Sequence, residues 1–242
     1  MTIGVEDGGA VRVVTIDRPE RRNAVDAEHV EALREAVAGA PDTTRALVLR
    51  GADGHFCAGA DLKGIEGPGF ATVLRRLLHA LRDAPFACIA GVEGAALGAG
   101  TQLAVACDLR TTSAEATFGI PAAKLGLMVD LWTVQRLASL AGQGVARTML
   151  LAAETVNGAD ALGLGLAQRL GGPDEAVAWA TEIATKAPLT IAGHKRMLNA
   201  LDATLPIDDE VAAAFDRAWA SDDLVEGKAA FAERRTPVFR GR

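Results

Sequence analysis

Two short stretches of this 242-residue chain carry residue types suited to chemistry at a carbonyl. "FCAGADL" (Phe56 to Leu62) and "LGAGTQ" (Leu97 to Gln102) are built mainly from small residues, which let another group approach the main chain closely. Backbone N–H groups in such loops can face an anion or a polarised carbonyl. In the second stretch a helical pattern begins just after the glycines, where free N–H groups and the positive end of the helix dipole attract developing negative charge. Taken alone, the first loop reads more readily as an ordinary strand-to-helix turn, and the second also fits a glycine turn packed against a neighbouring strand. Gln102 follows at once, an amide that donates and accepts hydrogen bonds but exchanges no proton near neutral pH.

One acid stands downstream, Asp130 in "GLMVDLWTVQRLASLAG". It reads evenly as an acid–base group or as the N-cap of the helical run Leu131 to Leu140. Of two nearer acids, Asp108 ends the "ACD" segment and reads as structural. Glu93 falls in an apolar strand-to-loop segment, where burial would require a hydrogen-bond partner. The histidines (29, 55, 79, 194) and cysteines (57, 88, 107) show no metal-ligand spacing and no CxxC pair. The expectation is no metal and three buried free thiols. With no secretory leader pattern before the first strand, it extends to a reducing cytoplasm.

These groups need a frame. "AVRVVTIDRP" alternates apolar and polar residues and stops at Pro19, predicting a strand over Val11 to Ile16. "DAEHVEALREAVAG" predicts a helix capped by Asp26 and ended near Gly39. "RALVLRG" is a nearly continuous apolar run, as a strand buried on both faces should be. "FATVLRRLLHALRDAP" is an amphipathic helix stopping before Pro85, "FACIAGVEG" a further strand and "AGTQLAVACD" the helix after it. "LRTTSAEATFG" supplies short strands, and the pattern is mostly helical from Asp130 onward. Alternating strands and helices through the first two thirds predict an α/β core, residues 1–187, and the helix-only remainder predicts a helical subdomain, 188–242.

Half the residues are apolar and 23% charged, with a net charge of -6 and a pI near 5.3, the balance of a soluble globular protein. No overall field gathers nucleic acid or an anionic membrane, so an anionic ligand must be held locally. The 86–107 segment is long enough to span a bilayer, yet it carries Glu93 and Gln102 and is broken by glycines, which predicts a buried strand and helix instead.

The two glycine stretches, each after a buried strand and about 40 residues apart, are far more specific together than singly. With "RPERRNAV", "GVEGAALGAGTQLAVACDLR", "ATFGIPAAKLGL", "VQRL" and "EGKAAFAERRTPVF", the chain resembles the crotonase family, the enoyl-CoA hydratase/isomerase superfamily, almost end to end. The resemblance implies an α/β spiral of ββα units, a C-terminal helical subdomain that forms trimers or dimers of trimers, and a coenzyme A thioester as ligand or substrate, with no permanently bound cofactor. It implies that the N–H groups of Ala60 and Ala99 form an oxyanion hole, and that Ala58, Ala60, Asp61, Leu62 and Lys63 cradle coenzyme A. It suggests Arg22 and Arg234 as phosphate partners, although each reads equally as a surface arginine that touches nothing. Ala99 stands where the family usually has glycine.

The two glutamates of the family's hydratases align with Gln102 and Ala122. On this resemblance the chain is a fatty acyl-CoA binder of lipid metabolism, one that presents its ligand to a partner protein and has lost conventional hydratase chemistry. The alternative is an enoyl-CoA hydratase, or an enoyl- or dienoyl-CoA isomerase using Asp130, which aligns with an aspartate of the dienoyl isomerases. Met128, Leu131 and Trp132 are expected along the acyl pocket, or else simply cover the core.

Overall fold

The computed structural model describes residues 3–64, 69–201 and 209–240. The chain begins with a hairpin, β1 (Ile3–Gly8) and β2 (Val11–Ile16), followed by α1 (Ala27–Ala38), β3 (Ala46–Gly51), α2 (Gly69–Asp83) and β4 (Ala87–Val92). Then come β5 (Ala95–Leu97), α3 (Ala99–Ala106), β6 (Leu109–Thr112) and β7 (Thr117–Gly119). Helix α4 (Leu131–Leu151) is broken at Gly142, and β8 (Thr155–Asn157), α5 (Gly158–Gly163) and β9 (Arg169–Leu170) follow it. The remainder is α6 (Gly172–Ala184), α7 (Pro188–Leu201), α8 (Asp209–Trp219) and α9 (Asp222–Glu233).

The main sheet has the order β1-β2-β3-β4-β6-β9, parallel except for the β1/β2 hairpin. A smaller sheet, β5-β7-β8, lies apart from it. Alternation along β3 shows why its sequence is continuously apolar. Leu47 and Leu49 join the large core formed with α1, α2 and α3, while Ala46 and Val48 face the second core under α6. Gly91 in β4 lets α6 close on the sheet, since a Cβ there would meet Pro173 Cα at 2.7 Å.

The expected strand over Val11 to Ile16, the helix capped by Asp26, and the strand and helix of the 86–107 segment all form. Among the described residues no helix is long and apolar enough to cross a membrane. Four strands escaped the sequence reading, among them β5, three residues wedged between the 86–94 strand pattern and α3. β1 is an exposed edge with the polar sequence "IGVEDG", and β8 and β9 are too short to carry a period. Glu93 corrects another expectation, for it is exposed and not buried.

Helix α7 is pinned to the core by one cation. Lys195, 6% exposed, donates to the carbonyls of Leu81 (2.9 Å) and Phe86 (3.0 Å) and pairs with Asp108 Oδ2 at 2.7 Å. The same Asp108 oxygen accepts the Cys88 N–H at 2.7 Å, which gives that acid the structural role expected of it.

Candidate functional site

The two glycine stretches meet. The segment after β3 runs beside β5 through Cys57 and Ala96, with Cys57 N–H donating to Ala95 O and Leu97 N–H to Cys57 O. At Gly59 (φ +111) the chain turns, and the next contacts are with Val25, whose N–H donates to Gly59 O and whose carbonyl accepts from Asp61. Because N–H groups alternate along an extended segment, that pairing leaves the Ala60 N–H on the opposite edge, towards the start of α3. The approach there is close, for a Cβ on Gly59 would sit 2.9 Å from Leu97 O and 3.9 Å from Ala99 N.

Gly98 precedes α3 at φ 53 and ψ -114, a conformation suited to glycine. Ala99 is the first residue of α3, so its N–H has no partner within the helix ladder. Gly100 has no room for a side chain, as a Cβ would lie 2.0 Å from Cys57 O. Buried Thr101 ties this end of α3 to both neighbours, its hydroxyl lying 2.6 Å from Ala96 O and accepting the Gly119 N–H at 3.0 Å.

The "RNAV" segment completes the frame. Asn23 is fully buried at φ 59, donates to the carbonyls of Ala52 and His55, and accepts the Arg18 N–H. Its neighbour Arg22, also left-handed at φ 49, offers its carbonyl to the Ala58 N–H at 2.9 Å. Arg18 in turn pairs with Asp61 at 3.0 Å.

These elements border a cavity of about 790 Å³, within the usual range for small-molecule sites. Ala58 to Lys63 and Leu97 to Ala99 line one side, together with Gln102 and Ala122. Helix α2 adds Phe70, Leu74 and Leu78, and the 125–130 segment adds Leu125, Leu127, Met128, Val129 and Asp130. Phe215 and Trp219 of α8 and Phe231 of α9 close it from the same chain. Trp219 is held by an indole N–H bond to Met128 O at 3.0 Å. Exposed cations stand around the lining, the expected Arg22, Lys63 and Arg234 together with Arg21 and Arg75. Sequence reasoning passed over the last two, and also Asn23 and Thr101. A cation on a helix surface carries no mark of what lies beside it, but Asn in "RRNAV" is a residue type that favours left-handed turns.

Gln102 is 9% exposed and makes no side-chain hydrogen bond among the described residues. Ala122 lies in the turn Pro121–Leu125 and presents only a methyl group. Asp130 takes the N-cap position expected of it and also borders the cavity. Its Oδ1 caps α4, accepting from Thr133 N (3.1 Å) and Thr133 Oγ1 (2.5 Å), while its Oδ2 is buried with no hydrogen-bond partner among the described residues.

Of the three residues expected along the acyl pocket, Met128 borders the cavity, but Leu131 and Trp132 are not among its lining residues. Trp132 packs edge-on against His79, with ring centroids 5.8 Å apart, and its buried indole N–H has no hydrogen-bond partner among the described residues. Burial, then the Arg82 charge, hold His79 below the ordinary imidazole value, so Asp130 has a neutral neighbour at pH 7. No cluster that would hold a metal occurs among the described residues. All three thiols are buried and free, and burial pushes Cys57 and Cys88 up to about 12.

Residues 6–242 match the family model described as enoyl-CoA hydratase/isomerase. A protein named probable enoyl-CoA hydratase echA6 from Mycobacterium tuberculosis is 43% identical over 244 residues, covering 99% of each chain. The crystal structure of an enoyl-CoA hydratase from Mycobacterium avium subsp. paratuberculosis superposes with a TM-score of 0.85 at 28% identity, covering 99% of both chains. Methylmalonyl-CoA decarboxylase in complex with 2-nitronate-propionyl-CoA shares the fold, with a TM-score of 0.90 at 24% identity over 100% of this chain and 99% of that one.

Proposed function

Because this chain belongs to the enoyl-CoA hydratase/isomerase family, the crotonase superfamily, we propose that it binds fatty acyl-CoA thioesters and has lost, or strongly reduced, conventional hydratase chemistry. The observation that carries this reading is a contrast within the lining of one cavity. Gly59 and Gly98 bring the 59–60 and 98–99 peptides close, and the Ala60 and Ala99 N–H groups hold the thioester oxygen. The same lining presents Gln102 and Ala122, where hydration needs one group to activate water and another to deliver a proton to the α-carbon. The amide orients a water without exchanging its proton, and the methyl group does neither. Each lost acid–base group lowers the rate about 10²- to 10⁴-fold.

In this reading Ala58 to Lys63 cradle the adenine and pantetheine portions, and Arg22 and Arg234 meet the phosphates. Arg21 and Arg75 add to that local positive field in a net-acidic chain. The acyl chain runs between Phe70, Leu74 and Leu78 on α2 and Met128 opposite. Residues 1–187 form the ligand-binding core and 188–242 the oligomerisation region of a cytoplasmic homotrimer or dimer of trimers. The exposed Leu189, Met197, Leu198 and Leu201 of α7 fit such a contact. A partner protein of lipid metabolism receives the bound ligand.

The unpartnered Oδ2 of Asp130 favours a second reading, isomerisation, in which this one carboxylate moves a proton between two carbons. The deciding experiment follows short- and long-chain 2-enoyl-CoA by loss of the conjugated thioester absorbance, with product analysis and a parallel titration with saturated acyl-CoA. Saturable binding without turnover is expected. Robust hydration would refute the binding-only reading, and a double-bond shift abolished in Asp130→Asn would establish the second.

A further inference from the structure

One polar oxygen stands in an otherwise apolar stretch of the cavity wall. Asp130 ends the 125–130 segment, whose other lining residues are Leu125, Leu127, Met128 and Val129. Its Oδ1 is committed to the α4 cap, accepting from Thr133 N and Thr133 Oγ1. Its Oδ2 is buried and has no hydrogen-bond partner among the described residues. An N-cap needs only one side-chain oxygen, and serine supplies it about as well as aspartate. Capping therefore accounts for Oδ1 and leaves Oδ2 as a buried acceptor, costly unless a donor reaches it.

Helix α2 shows where along the acyl path this oxygen lies. Phe70, Leu74 and Leu78 line the cavity from one face of that helix, and Phe70 to Leu78 spans about 12 Å at 1.5 Å per residue. Phe70 is the end next in sequence to the Ala58 to Lys63 cradle. At the other end, His79 lies close enough to Asp130 to feel its charge. Asp130 thus faces the part of an acyl chain remote from the cradle. The donor that fits there is a hydroxyl. It has one proton to give to one open oxygen, whereas an ammonium brings three N–H donors among apolar walls that answer only one. A second carboxylate is repelled. Resting on the proposed function, we infer that Asp130 Oδ2 is a specificity-determining subsite for a hydroxyl carried on the acyl chain, beyond the carbons at which hydration acts. The ligand class is a fatty acyl-CoA hydroxylated towards the far end of its chain.

The test is calorimetric titration with octanoyl-CoA, its 3-, 6- and 8-hydroxy derivatives, and 8-aminooctanoyl-CoA. The wild-type protein should bind the 6- or the 8-hydroxy form about tenfold more tightly than octanoyl-CoA, as a hydrogen bond gained by a buried acceptor allows. The 3-hydroxy form should bind no more tightly than octanoyl-CoA. Asp130→Ser, which keeps a capping oxygen and removes Oδ2, should cut the remote-hydroxyl advantage to about twofold or less. A thermal melt checks that the variant folds, and the wild-type comparison stands on its own if it does not. Equal affinities across the series, an advantage confined to the 3-hydroxy form, tighter binding of the amino form, or an advantage that survives in Asp130→Ser would each overturn the inference and leave the binding function intact. Failure of the wild-type protein to bind any member of the series would overturn both.

Discussion

Replacing Gly98 by alanine tests the carbonyl-binding corner most directly. At φ 53 and ψ -114 an L-residue is strained, and such conformations cost about 1 to 3 kcal/mol. Crowding adds little, because the nearest atom to an added Cβ is Gly59 Cα at 4.0 Å. The cost is therefore conformational, and the chain relieves it by rotating the 98–99 peptide, which turns the Ala99 N–H away from the cavity. At about 2 to 4 °C per kcal/mol for a chain of this size, the melting temperature should fall by about 2 to 12 °C. A lost hydrogen bond to a neutral thioester oxygen is worth about 0.5 to 1.5 kcal/mol, or a two- to tenfold weaker saturated acyl-CoA complex. Gly9→Ala is the control. It sits at φ +66 with nothing within 4 Å and lies in the β1/β2 turn, so it should show strain without loss of affinity. Calorimetric titration and thermal melts of the three proteins decide the matter. A Gly98→Ala protein that binds like wild type would refute the role given to this peptide.

Restoring carboxylates should restore chemistry: Gln102→Glu with Ala122→Glu is expected to raise 2-enoyl-CoA hydration by about 10² or more over wild type. Neither single change should match it, and an inactive double variant that still binds acyl-CoA would show that the pocket excludes water by shape. Lys195→Met removes one partner of a buried pair and should destabilise the fold by about 3 kcal/mol or more, read in urea. Adding Asp108→Asn should recover part of that loss, because the amide oxygen still accepts the Cys88 N–H. At pH 8 the folded protein should not react with a thiol reagent, since all three cysteines are buried and burial pushes their thiols up, Cys57 and Cys88 to about 12. Three equivalents should react once it is unfolded, and fast labelling of the native state would contradict the burial.

Periodicity and punctuation determined much of the frame. β2, β3, α1 with its Asp26 cap, and the strand-then-helix reading of the 86–107 segment followed from local pattern, because backbone propensity and one-sided burial act within a dozen residues. The glycines at 59, 98 and 100 were visible as a loop chemistry, and the family resemblance gave it a meaning. The tertiary structure decided what local pattern cannot carry. It turned Ala60 towards α3 by pairing Gly59 and Asp61 with Val25. It exposed Glu93, placed Leu131 and Trp132 off the cavity lining, and divided Asp130 between a capping oxygen and an unpartnered one. It also brought Arg110 from β6 and Arg136 from α4 to the same carbonyl end of α3. The physical reason is one throughout: burial, partnering and field at a side chain are set by groups distant in sequence, and only the packed chain brings them together.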